Sequence, residues 1–440
     1  MVVLYLCVIL IAGCSGGKEQ AAGSTVYTQD TLINLPVSDP HTAYMRAEAG
    51  QIARNLDAGQ LSAQVMLCGI DGKGQLGRDM QILLDECPAG GVILFRYNLD
   101  TKPAEIQNLI TQASARISAG ALAAAPDSGE FPPEGESLPK SKSAAGNESS
   151  PGNETKTVLI LPFVAVDHEG GQVSRFNKGY AVLPAAAAYS VLARDKGRDG
   201  AIAQIEADAF RAGTEISALG INMNLAPVAE LLNDYNREFL GSRSYGEEPA
   251  FVTDSASAFI RGMDRAGLLC VVKHFPGSAG KDPHLYPSVI NAGIDELNVL
   301  AAPCISLIRG GQARAVMVSH TLVPARDPAH IASLSPAVMK QWLRDEIGFE
   351  GIIICDDFSM VSAGGAAGGK AGSAGSAISA ELASLAAGAD MIMVWPKDIR
   401  STHRAIQDAL SSGKLSVERL REAAAHIIFE KIRMGLANGG

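Results

Sequence analysis

The 440-residue chain has few aromatic residues, 5% in all, and only two of them are tryptophan. That scarcity excludes a broad ring platform for stacking a polymer, although a sugar site needs no more than one or two rings. An excess of basic residues is also missing. The formal charge is −10, the pI is near 5.4, and Lys and Arg are scattered without a stripe. These features argue against nucleic acid as a partner. Metal-binding spacings such as H-x-x-x-H or C-x-x-C do not occur, and no phosphate-binding glycine fingerprint opens a helix. His274, His284 and His320 fall near Asp residues on neighbouring strands or loops, but without tight ligand spacing. Neither a metal nor an organic cofactor is expected. Cys68, Cys87, Cys270, Cys304 and Cys355 are odd in number and mostly lie in apolar runs, so they read as small buried hydrophobes.

The other two cysteines lie in the first fourteen residues. Val2–Ala12 is apolar, short for a membrane span, and closes on Ile11-Ala12-Gly13-Cys14. This resembles a bacterial lipoprotein signal, although no positive charge precedes the run. Residues 1–14 are expected to be the signal, with Cys14 as the acylated residue, and 15–40 a tether rich in Gly, Ser and Gln. The expectation is an exported monomer, lipid-anchored to a bacterial membrane.

From residue 41 onward the chain has a regular rhythm. Eight apolar runs (63–70, 91–95, 157–166, 221–228, 268–274, 313–320, 351–355 and 390–394) alternate with segments of helical period. The helical segments include 104–117, 201–219, 249–266, 336–347, 377–387 and 417–434. The alternation predicts an α/β fold, a (β/α)8 barrel filling 41–440. Two stretches interrupt it. Residues 118–156 hold almost no large apolar side chains and read as a disordered insertion, placed opposite the strand C-termini. The Gly/Ala-rich stretch 362–376 reads as a mobile loop on the active face.

Chemistry in such a barrel sits at the strand C-termini. There the sequence places Asp167-His168-Glu169-Gly170-Gly171 with Arg175, then Asn224 and Glu230 with Arg243. Lys273-His274 follow with Asp282-Pro283-His284, then Ser319-His320, and finally Asp356-Asp357. Carboxylates are costly to bury unless paired or used. Carboxylates and cations together on one rim suit a polyhydroxylated ligand. Gly170-Gly171 reads as close backbone packing, and strand alternation points Cys355 away from Asp356.

Together, Val166-Asp167-His168-Glu169-Gly170-Gly171 with Arg175-Phe176, Lys273-His274-Phe275-Pro276-Gly277 and Asp356-Asp357-Phe358-Ser359-Met360 resemble glycoside hydrolase family 3. Gly90–Phe95 and Asn224–Val228 match in the same order, and the resemblance runs from about residue 60 to 435. It is to the β-N-acetylglucosaminidase branch. It implies that Asp356 is the nucleophile of a retaining mechanism, with Asp357 turned away to support its loop. It also implies that His284 is the acid/base residue, oriented by Asp282, and that Asp167, Arg175, Arg243, Lys273 and His274 bind the sugar. His320 either lines the site or supports the sixth strand. The sequence departs from the family pattern where Ser278-Ala279-Gly280 replaces the usual His-Gly, where Gln172 replaces an Arg, and where Glu230 replaces an Asp. The loop to Asp282 is also shorter by about two residues, and Pro283 stiffens the dyad.

The expectation is a retaining exo-β-N-acetylglucosaminidase acting on peptidoglycan fragments or chitin-type oligosaccharides. The rivals are a β-glucosidase or β-xylosidase of the same family, and a non-catalytic glycan-binding surface lipoprotein.

Overall fold

A computed structural model describes residues 40–124, 157–176, 179–280, 288–358 and 374–439. Met1–Ala43 and Tyr44–Gly440 are separate units, and of the first only the start of the helix Pro40–Asn55 is described. The expected signal, with Cys14, and all of the tether but its last residue lie outside the described residues.

Each of the eight apolar runs contributes one parallel strand to a single sheet. They are β1 (Met66–Gly69), β2 (Gly91–Leu94), β3 (Phe163–Val166), β4 (Met223–Asn224), β5 (Leu269–Phe275), β6 (Ala315–Val318), β7 (Ile352–Cys355) and β8 (Ile392–Val394). Strand neighbours follow chain order, and β8 returns to pair with β1, Met66 opposite Ile392. The ring closes between β7 and β8. Ile354 bridges Met391 there, and the Met391 N–H donates to the Ile353 carbonyl at 3.0 Å. Helices cover the outside while side chains fill the inside. The strands can therefore be apolar throughout, and β1, β2, β3, β6 and β7 are buried at every position. The result is the (β/α)8 barrel that the rhythm of runs predicts.

The helices form where the sequence supplies their ends. Pro249–Arg265 opens on proline, and the Glu248 carboxylate accepts the Ala250 and Phe251 N–H groups at 3.0 and 2.8 Å. Its partner Arg198–Ser217 comes so close that a Cβ on Gly262 would lie 2.5 Å from the Glu206 carbonyl. Glycine is required there by space alone.

Three boundaries differ from expectation. Residues 118–124 are not part of an insertion: the helix Pro103–Gly120 continues through Ser118, and Leu122–Ala124 forms a strand. That strand pairs antiparallel with Thr157–Ile160, which pairs in turn with Ala437–Gly439. The expected run 157–166 is thus two strands, parted at Pro162, which has no N–H to continue a ladder. The stretch 362–376 lies mostly outside the described residues, but its last three belong to the helix Ala374–Ala387.

The N-terminal end of the barrel is held by a buried carboxylate. Asp390 accepts from Arg344 at 2.5 Å, Arg419 at 2.8 Å and the Ile353 N–H at 2.9 Å, with His426 Nδ1 at 3.1 Å. Burial alone would raise its pKa, but Arg344, His426 and Arg419 hold it well below the usual carboxylate range. Arg344 lies on the helical segment after β6 (Ala337–Glu346, wound as a π-helix) and Arg419 on the last helix, Val417–Arg433. One charge thus ties both to the start of β8.

Candidate active site

At the opposite end, a cavity of about 360 Å³ opens among the strand C-termini. Asp167, Arg175, Arg243, Lys273, His274 and Asp356 all line it. These are all the sequence-predicted site residues among those described. Asp282 and His284 lie outside the described residues.

One wall is a chain of ion pairs. Lys273 Nζ lies 2.6 Å from Asp167 Oδ1 and 2.7 Å from Glu169 Oε1. Arg175 donates to Asp167 Oδ2 at 2.7 Å, and Arg243 clasps both oxygens of Glu169 at 2.8 Å each. Burial pushes the Asp167 carboxyl up, yet Lys273 and Arg175 overcome it and hold Asp167 well below the carboxylate range. Burial would likewise neutralise Lys273, but Asp167 and Glu169 raise its pKa and keep it charged. The wall therefore presents fixed, oriented charges, three cations on two carboxylates, to whatever enters.

Local backbone accounts for the placement. The register of β5 against β6 shifts between Lys273 and Phe275, which fits two consecutive side chains, Lys273 and His274, facing one cavity. After β3 the chain turns sharply at Gly170 (φ 99°), where a Cβ would lie 2.4 Å from the Pro184 carbonyl. His168 is buried beneath this turn. Its Nε2 donates to the Ala181 carbonyl at 2.7 Å and its Nδ1 accepts the Arg175 N–H at 3.3 Å. It braces Arg175 and does not reach the ligand space.

Asp356 follows the last residue of β7. Its Oδ1 accepts the Asp357 N–H at 2.8 Å. Asp357 corrects what the resemblance implies, because this residue also lines the cavity. The strand ends at Cys355, so strict alternation no longer governs the next two residues. Asp357 Oδ2 accepts the Trp395 indole N–H at 2.6 Å. Trp395 stacks on Phe95, with ring centroids 4.8 Å apart and planes within 10°. His320 lines the site and also supports it. Its Nε2 donates to the Asp357 carbonyl at 3.1 Å, so Nδ1 is the acceptor for the Ser333 hydroxyl at 2.7 Å. Burial holds its pKa below the ordinary imidazole value, and the ring is neutral at pH 7.

Sequence reasoning placed Glu169 and Glu230 on the rim without giving them a role, and it missed the two rings of the cavity wall, Phe95 and Trp395. All four directly follow or lie near the end of a barrel strand, which is the signal that marks them. Their partners stand far off in the chain and leave no local trace.

A (β/α)8 barrel with a charged, ligand-sized cavity at its strand C-termini is the frame of an enzyme that handles small polar molecules. The chain belongs to glycosyl hydrolase family 3: the model for the family's N-terminal domain matches residues 140–429. Curated relatives include beta-hexosaminidases of Thioalkalivibrio sulfidiphilus, 36% identical over 203 residues, and of Neisseria gonorrhoeae, 37% identical over 207. Each match spans 46% of this chain, and 57% and 56% of the relatives. The chain thus spans little more than half the length of these relatives. Among solved structures, a family 3 β-N-acetylglucosaminidase from Paenibacillus superposes with a TM-score of 0.70 at 26% identity, over 87% of this chain and 63% of that one. NagZ of Neisseria gonorrhoeae, in complex with N-trifluoroacetyl-D-glucosamine, superposes at 0.60 with 25% identity, over 84% and 94%.

Proposed function

We propose that the protein is a retaining exo-β-N-acetylglucosaminidase that removes terminal N-acetylglucosamine from peptidoglycan fragments or chitin-type oligosaccharides. The observation that best supports this is the position of Asp356, on the cavity wall at the end of β7 in a chain of this family. In this reading a carboxylate oxygen of Asp356 bonds to the anomeric carbon as the glycosidic C–O bond breaks. His284, oriented by Asp282, gives its proton to the leaving oxygen. Water then attacks the glycosyl-enzyme, returns a proton to His284 and frees Asp356, with net retention. Asp167, Arg175, Arg243, Lys273 and His274 hold the sugar hydroxyls. We further propose that the chain is an exported monomer anchored through a lipid on Cys14. Palmitate labelling should disappear in Cys14→Ala, and labelling that persists would place the anchor elsewhere.

The test of activity is release of 4-nitrophenol from 4-nitrophenyl N-acetyl-β-glucosaminide by protein lacking residues 1–14. Turnover is expected. Cleavage of only the glucoside or xyloside would move the protein to another branch, and inertness on all three would favour glycan binding without catalysis. His284→Ala separates the dyad from the nucleophile. The activated phenol needs little protonation, so the loss there should stay within about tenfold, against about 10²-fold or more on a natural disaccharide. Equal losses on both substrates would remove His284 from the acid role.

A further inference from the structure

Behind the cavity wall, in the segment that follows β4, Glu230 is buried to 4% exposure and does not itself line the cavity. Both of its oxygens are engaged. Oε2 accepts the Ser278 N–H at 2.6 Å and the Ser278 hydroxyl at 2.7 Å, while Oε1 lies 2.6 Å from His274 Nδ1. A backbone N–H can only donate, so Oε2 is fixed as an acceptor. Burial would raise the Glu230 pKa, but the His274 contact outweighs it and keeps the carboxyl ionised. Oε1 is then an acceptor as well, and the hydrogen between the two groups belongs to His274 Nδ1. In the neutral imidazole this leaves Nε2 without a hydrogen, and among the described residues Nε2 has no protein hydrogen bond.

We propose that Glu230 is a positioning residue that fixes the tautomer of His274 and presents the Nε2 lone pair to the cavity as an acceptor. The ligand group recognised there is a hydrogen-bond donor, a sugar hydroxyl or an amide N–H. An O-methyl or deoxy analogue at that position is therefore rejected. Ser278 completes the device by pinning the far oxygen, so that the carboxylate cannot rotate away from the ring. The sugar nature of the ligand rests on the proposed glycosidase reading, whereas the tautomer does not.

Glu230→Gln tests this with almost no change of shape. The amide oxygen must stay with the Ser278 N–H, which turns the NH₂ toward His274 Nδ1. Nδ1 then has to accept, and the ring hydrogen moves to Nε2. In ¹⁵N-histidine-labelled protein at pH 7.5, with the signal assigned through His274→Gln, wild type is expected to show a protonated Nδ1 and a bare Nε2. Glu230→Gln is expected to show the reverse. KM for the aryl N-acetylglucosaminide should rise about tenfold, the worth of one hydrogen bond, with a smaller change in kcat. A wild-type ring protonated on Nε2, alone or on both nitrogens, overturns the proposal. So does a switched tautomer with an unchanged KM, which a merely structural Glu230 would give. If Glu230→Gln does not fold, the wild-type spectrum still decides the tautomer. Ser278→Ala, which keeps the backbone donor, should then retain Nδ1–H. The spectra need no turnover, so an inert wild type sinks the proposed activity and not this assignment.

Discussion

Asp356→Ala is expected to lower kcat/KM on the aryl N-acetylglucosaminide by about 10⁴-fold or more, a barrier increase of about 5.5 kcal/mol. In the proposed mechanism Asp356 does two things that nothing nearby can replace. It supplies negative charge to an oxocarbenium-like transition state and then forms the bond that splits the reaction in two. Asp357 is the obvious substitute, since it lines the same cavity. Its Oδ2, however, is tied to the Trp395 N–H at 2.6 Å. A small external nucleophile provides a second readout. Azide admitted to the space left by the carboxylate should restore turnover and yield a glycosyl azide of inverted configuration. Activity of the variant within about tenfold of wild type would end the nucleophile assignment.

Lys273→Met is the second large effect, felt in both stability and binding. Among the described residues the ammonium is the only group that touches Asp167 and Glu169 together, at 2.6 and 2.7 Å, and its side chain is 3% exposed. Removing one member of a buried ion network costs about 3–5 kcal/mol, because the remaining charges lose their compensation. Methionine keeps the stem, so packing loss adds little. The acid side of the stability curve should also move. A carboxyl held below its unfolded pKa contributes stability that is fully present above the unfolded value and lost as pH falls through the folded one. Asp167 is such a group, and Lys273 is the largest of the cations that depress it. The variant should therefore unfold in acid at a higher pH than wild type, and urea titrations at pH 7 and in acid would measure both effects. Unchanged stability at pH 7 would mean that the ion pairs do not carry the wall.

Much of this could be read from the chain, and the remainder has identifiable causes. A buried parallel strand announces itself as a short apolar run, so the barrel followed from eight such runs. Asp167, Arg175, Arg243, Lys273, His274 and Asp356 were legible because the C-terminal end of a barrel strand is a position that sequence can mark. What failed were facts set by distant pairing. Leu122–Ala124 resembles the low-complexity residues after it and becomes a strand only because Thr157–Ile160 lies alongside. The resemblance turned Asp357 away from the site, whereas it lies on the cavity wall just beyond the end of the strand. Glu230 stood in plain view as a departure from the family pattern, but its role depends on Ser278, whose replacement of a larger residue looked unrelated.

The stack of Trp395 on Phe95 has a spectroscopic consequence. The chain has two tryptophans, and the other, Trp342, is buried beside Phe275 with the Arg326 guanidinium 4.3 Å over its ring. Trp395 alone belongs to the cavity, its indole N–H held by the residue adjoining Asp356. The molecule thus carries an intrinsic fluorophore in the wall of its cavity. With Trp342 replaced by phenylalanine, occupancy of the cavity becomes an event that can be followed by light emission in real time on ligands without a chromophore, and the proposed glycosyl-enzyme would be open to the same readout.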